Sequence, residues 1–171
     1  DLKNLDNYIN AVKYIKNRYK ILDIAYLIEN KIKEESNEYS PQSIAFPTGI
    51  SLNNIATHYT PKYNEKTIFK ETDICKIDYG VHIDGCIVDS AFTINLDNKY
   101  NKLLESSNEA VNGIIKEIGV DSKFTELGKI SEEIVESYEI EIDRKFQNLK
   151  IIDNFAGHNI LPWTIHGGNY Y

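Results

Sequence analysis

The chain has 171 residues, 42% of them hydrophobic, with 19 basic against 26 acidic side chains and a net charge of −7. This length and apolar fraction suit one domain, residues 1–171, with a sizeable core, and exclude a disordered chain. The acidic balance excludes a general phosphate-binding face, so no nucleic acid is expected as a partner; no apolar run approaches a membrane span and no signal peptide opens the chain, so no membrane is expected either. Leu2, Leu5, Tyr8, Ile9, Val12, Ile15 and Tyr19 recur at helical spacing and predict an amphipathic helix. A second helix is expected from about Asp23 to Glu35, with Ile24, Leu27, Ile28 and Ile32 inward and Asp23 as N-cap. Residues 37–42 have loop composition. In the segment 43–61 Pro47 and Gly49 break any helix, Asn53-Asn54 suggests a turn, and the residues around His58 suggest a short strand.

After a polar, turn-rich stretch to Asp73 comes ICKIDYGVHIDGCIVDSAFTI, residues 74–94. It predicts a hairpin with a two-residue turn at Asp84-Gly85. Ile83 then faces Cys86, Asp78 faces Ala91 and Asp89 faces Gly80. Asp78 and Asp89 share a face as diagonal neighbours, with α-carbons roughly 7–8 Å apart. The other face carries Ile77, Tyr79, Val81, Ile83, Val88, Phe92 and Ile94, a core-packing set. The two acids either hold metal ions or are solvated on a wet face. His82, near the turn, reads as a surface residue. Cys75 and Cys86 do not face each other and read as reduced, half-buried thiols of an intracellular protein.

Two further helical patterns follow. Tyr100, Leu103, Leu104, Val111, Ile114, Ile115 and Ile118 mark the first, with Gly113 weakening its middle. Leu127, Ile130, Ile134, Val135 and Tyr138 mark the second, capped by Asp121, Ser122 or Thr125. Strand-like segments lie at Glu139–Ile142, Leu149–Asp153 and near Thr164–His166. The order helix, helix, strands occurs twice. It predicts an α+β fold, helices covering one face of a curved, mostly antiparallel sheet, with the second half incomplete. Gly157-His158 and Ile165-His166-Gly167-Gly168 flank a segment in which Pro162 forbids continuous helix. Short extended pieces there could bring both imidazoles together, although a lone histidine is more often structural than a ligand. GxSxG, HExxH and phosphate-loop motifs are absent from the sequence.

Three blocks now become specific: AFPTGISLNNIATHYTP, DICKIDYGVHIDGCIVDSAFTI and AGHNILPWTIHGG. In content, order and interval they resemble type 2 methionine aminopeptidases, a branch of the pita-bread metallopeptidases. The resemblance covers essentially the whole chain. It implies a metal-dependent aminopeptidase that removes the initiator methionine from nascent polypeptides in the cytoplasm, with ribosome association possible. Two divalent ions, whether Co, Mn, Zn or Fe, would activate the attacking water. Asp78, Asp89 and His158 would be metal ligands, with Asp89 bridging. His58 and His166 would be catalytic and contact the scissile peptide group, His58 being also the residue alkylated by fumagillin-type inhibitors. Phe46 and Ile165 would wall the methionine pocket beside these histidines.

Some features depart from that pattern. The family's two glutamate ligands follow its last block and would lie beyond Tyr171. The sequence begins at Asp1 and holds no methionine, so the expectation is the first part of a longer enzyme. Its alternative is a catalytically inactive binding module, like the relatives that bind RNA or ribosomes. The intact ligands and the −7 charge count against that. A prolidase-like peptidase fits the first block less well. Ala156 and Gly167 stand where the family usually has Asn and Ala, and the connection between the first two helices is short.

Overall fold

The computed structural model describes residues 19–36 and 44–169. The helix expected over residues 2–19, Tyr19 apart, and the loop over residues 37–42 lie outside the described residues. The chain divides into two compact units, Asp1–Asp97 with Ile160–Gly167, and Asn98–Asn159 with Gly168–Tyr171.

The first unit packs helix α1 (Ile21–Ser36) on an antiparallel sheet of order β1-β2-β3, formed by Ile44–Leu52, Ile74–Ile83 and Cys86–Asn95. α1 starts two residues before Asp23, so Asp23 sits in the first turn, where a carboxylate favours the helix dipole, and is not the N-cap. Its buried stripe is Ile21, Ile24, Ala25, Ile28 and Ile32. Leu27, expected inward, is exposed, because the stripe is centred one position to its side.

The β2–β3 hairpin has the expected register, Ile83 opposite Cys86, Asp78 opposite Ala91 and Gly80 opposite Asp89. Asp84 and Gly85 adopt φ of 48° and 84°, both positive as a type I′ turn requires. Cys75, Ile77 and Tyr79 are buried with Ile50 and Phe69, while Val81, Phe92 and Ile94 pack on them. Each fully buried side chain of this size contributes about 1.5–3 kcal/mol. Ile83 and Val88 stay exposed, because the core ends before the hairpin tip.

β1 runs through Pro47 and Gly49, which had read only as helix breakers. Its pairing with β2 shifts register between Ile44 and Phe46 and again between Phe46 and Gly49. Pro47 falls inside the second irregularity and is exposed, so its missing N–H interrupts no regular ladder. The strand expected around His58 is not formed. Asn53 turns the chain at φ 52°, and the segment returns irregularly, with the Ile50 N–H donating to the Tyr59 carbonyl at 2.7 Å. Asn53 also ties the end of β1 to β2: its amide donates to Asp73 and its Oδ1 accepts from the Ile74 N–H.

The second unit pairs α2 (Asn101–Glu117) and α3 (Phe124–Glu136) with a hairpin of β4 (Glu139–Ile142) and β5 (Lys145–Asn148). Ala110, Val135, Ile140 and Leu149 form its core. Gly113 gives Ile134 of α3 room against α2: a Cβ there would lie 2.5 Å from Ile134 Cδ1. The expected N-caps of α3 do not act. Lys123 occupies that position without a side-chain bond, and Ser122 instead accepts from the Gly119 N–H. The second strand expected at Leu149–Asp153 lies earlier, at β5. Asp143 and Arg144, both at positive φ, make the turn. All four β5 side chains are exposed, so no alternation marks the strand, while Leu149 is buried after it. The α+β class stands. Among the described residues its strands form two antiparallel sheets, of three and two strands.

Candidate active site

The register sets Asp78 and Asp89 on the sheet face opposite the core. Asp78 is half-buried. Its Oδ2 accepts a hydrogen bond from Thr57 Oγ1 at 3.3 Å, and its Oδ1 is buried without a hydrogen-bond partner. Burial and then the Asp89 carboxylate raise the Asp78 pKa; the Thr57 hydroxyl and His58 oppose them. A buried oxygen without a donor is costly unless a proton or a cation meets it. The pair therefore has the chemistry of a cation cradle, and hard carboxylate oxygens suit a divalent ion.

Phe46 lies beside these acids. Gly80, opposite Asp89, has no side chain, and a Cβ there would meet Phe46 Cε1 at 2.1 Å. The absence of that Cβ lets the phenyl ring lie against the backbone on the carboxylate face.

His58 and His166 are brought together, ring centroids 5.8 Å apart at 51°, and both are exposed. His58 holds φ 62°, a conformation that costs a bulky residue roughly 1–3 kcal/mol and persists where the surroundings impose it. Those surroundings are visible. Thr57 bonds Asp78 on one side; on the other, Tyr59 is held by Ile50 and donates its hydroxyl to Glu65. Glu65 also accepts from the Thr67 hydroxyl and from the Lys66 and Thr67 N–H groups, and these bonds pull its pKa down to about 2.

His82 is corrected from surface to buried, 6% exposed, with Nδ1 lacking a hydrogen-bond partner. Trp163 covers it, ring centroids 5.0 Å apart. Trp163 lies in a tight turn closed by reciprocal bonds between Leu161 and Thr164, each 3.0 Å. Pro162 and then Trp163, at φ 63°, occupy the centre, the pattern of a type II turn with tryptophan where glycine is usual. Ile165, half-buried, and His166 follow directly.

His158 belongs to the second unit, half-buried, its Nδ1 3.4 Å from the Asn159 carbonyl oxygen. Asn159 fixes that stretch by exchanging bonds with Asn169. Among the described residues no group of three or more His, Cys, Asp or Glu is gathered as a metal site. Cys75 is buried, which pushes its thiol up to about 12, and Cys86 is exposed; neither forms a disulfide. Thr57, Gly80 and Trp163 were not singled out in the sequence. A mid-strand glycine opposite a carboxylate is a usable signal of close approach for Gly80, whereas nothing local marks Thr57 or Trp163.

The model for metallopeptidase family M24 matches residues 6–171. Methionine aminopeptidase 2 of Clavispora lusitaniae is 46% identical over 160 residues, covering 92% of this chain and 37% of its own length. That of Schizosaccharomyces pombe is 45% identical over 159 residues, with the same coverage of both chains. The chain thus spans little more than a third of these relatives. Among solved structures, the methionine aminopeptidase of Thermotoga maritima superposes with a TM-score of 0.71 at 22% identity, over 92% of this chain and 61% of its own. The X-Pro aminopeptidase from the same organism gives 0.65 at 15% identity, over 95% and 43%. These two share the fold.

Proposed function

This chain belongs to metallopeptidase family M24, and on that premise we propose that the protein removes N-terminal methionine from nascent polypeptides as a metal-dependent aminopeptidase. The observation that carries the reading is the buried, unpartnered Oδ1 of Asp78 with the Asp89 carboxylate beside it. Membership of the family implies divalent metal. That there are two ions, drawn from Co, Mn, Zn and Fe, belongs to the proposal, as do a cytoplasmic location and work at the ribosome.

The residues fit the metal by donor chemistry. Asp78, Asp89 and His158 supply carboxylate oxygen and imidazole nitrogen, and these residues would hold the metal. Bound divalent ions supply Lewis-acid activation of water and of the scissile carbonyl. The rest falls to the chain's own groups. Thr57 orients Asp78 through its hydroxyl. His58 and His166 donate hydrogen bonds to the scissile peptide group and pass a proton as the bond breaks. Phe46 and Ile165 offer apolar surface to the methionine side chain. Such surface discriminates by about 1–3 kcal/mol per methylene. We treat residues 1–171 as part of one catalytic domain; the activity belongs to the whole protein.

The full-length protein with Mn or Co should release methionine from a Met-Ala-Ser peptide and leave an Ala-Pro peptide intact. A folded protein that releases none would overturn the proposal. Cleavage of Ala-Pro alone would move it to the X-Pro class, and a protein that purifies metal-free and inactive would support the binding-module alternative.

A further inference from the structure

We propose that Trp163 is a positioning residue: seated on the tip of the β2–β3 hairpin, it sets His166 opposite His58. The inference rests on the aminopeptidase reading for its consequence, while its geometry stands within the first unit alone. The Trp163 backbone N–H donates to the Gly85 carbonyl at 2.9 Å, a bond that any non-proline residue at 163 keeps. The indole occupies the space above Gly85, where a Cβ would lie 2.3 Å from Nε1, and the buried ring of His82 lies beside it. The type I′ turn and the tryptophan thus fit each other: Gly85 is needed for its φ of 84° and for the indole above it.

Trp163 itself is 65% exposed, so burying its own apolar area is a poor account of it. It also holds φ 63°, which disfavours a bulky residue. A side chain that is mostly exposed and on a strained backbone is accounted for by what it holds in place. The segment it anchors is short, closed by the Leu161–Thr164 bonds, and exposed from Ile160 to Thr164. His166 is three residues further on. Its ring sits 5.8 Å from His58, whose own backbone is fixed from the other side through Thr57 and Tyr59. The two histidines are therefore registered by separate devices, the Asp78–Thr57 bond for one and the Trp163 anchor for the other.

The test uses the full-length, metal-loaded protein and W163G and W163F. Glycine relaxes the positive φ, so W163G keeps the turn and loses only the indole; phenylalanine keeps a ring over Gly85. W163G is expected to lose about tenfold to a hundredfold in kcat with KM little changed, since small misplacements of a reacting group cost that much. W163F is expected to recover most of it. In histidine-labelled protein loaded with diamagnetic Zn, the His58–His166 ring NOE should be present in wild type and W163F and lost in W163G. Should the wild type prove inactive, the function reading fails, yet the NOE still decides this inference. An unchanged NOE in W163G, or a W163G that loses melting temperature with kcat intact, would overturn it.

Discussion

Gly80→Ala measures how closely Phe46 lies on the sheet beside Asp89. Gly80 carries no positive φ, so its backbone accepts alanine, and by itself the change should stabilise by about 0.4–1 kcal/mol through the unfolded chain. The new Cβ, however, would stand 2.1 Å from Phe46 Cε1, 2.5 Å from Cδ1 and 2.9 Å from Cζ. Carbon pairs rest at about 3.5–4.0 Å, so the ring must retreat by roughly 1.5 Å. Overpacking of this kind costs about 1–3 kcal/mol. Phe46 is only half-buried and can yield toward solvent, which sets the net effect near 1 kcal/mol destabilising. In a Phe46→Ala background the clash is gone and the sign reverses. Urea unfolding of the four proteins at equal metal loading should give a coupling of about 1.5–2 kcal/mol. The displaced ring should also raise KM for methionyl peptides more than it lowers kcat. Equal effects of Gly80→Ala in both backgrounds would refute the contact and, with it, the place given to Phe46.

Other expectations follow from the same geometry. Asp78 is held above its ordinary pKa by burial and by Asp89, so its contribution to stability is present below the unfolded pKa and lost as pH rises through the folded one. Chelator-treated D78N should therefore be more stable than chelator-treated wild type at pH 7, by denaturant midpoint, although it loses metal-dependent activity. Glu65 is held at about 2 by its four donors; its contribution is present above the unfolded value and lost only as pH falls through about 2. The Thr67 amide should thus stay protected from hydrogen exchange at pH 4 in wild type and lose protection in E65Q. Iodoacetamide on the native protein should modify Cys86 and spare Cys75, which is buried and kept protonated; peptide mapping by mass spectrometry reads the difference.

What was legible in the sequence follows range. The β2–β3 hairpin was readable because its turn residues and its alternation are local, and that register alone put Asp78 beside Asp89. The blocks carrying His58 and His166 were readable by resemblance, and their rings do meet. β1 was hidden by Pro47 and Gly49, whose cost is absorbed by register shifts that only the partner strand reveals. His82 was misread because its cover, Trp163, comes from a distant part of the chain. β5 was displaced because four exposed side chains give no pattern and its turn contains no glycine.

The central claim is that Asp78 and Asp89 are held together for a divalent cation. Calorimetric titration of Mn into the chelator-treated full-length protein at pH 7, beside D78N and D89N, tests it most directly. Stoichiometric binding by the wild type is expected, lost or weakened by orders of magnitude in either variant, with folding unchanged. Equal binding by all three would contradict it.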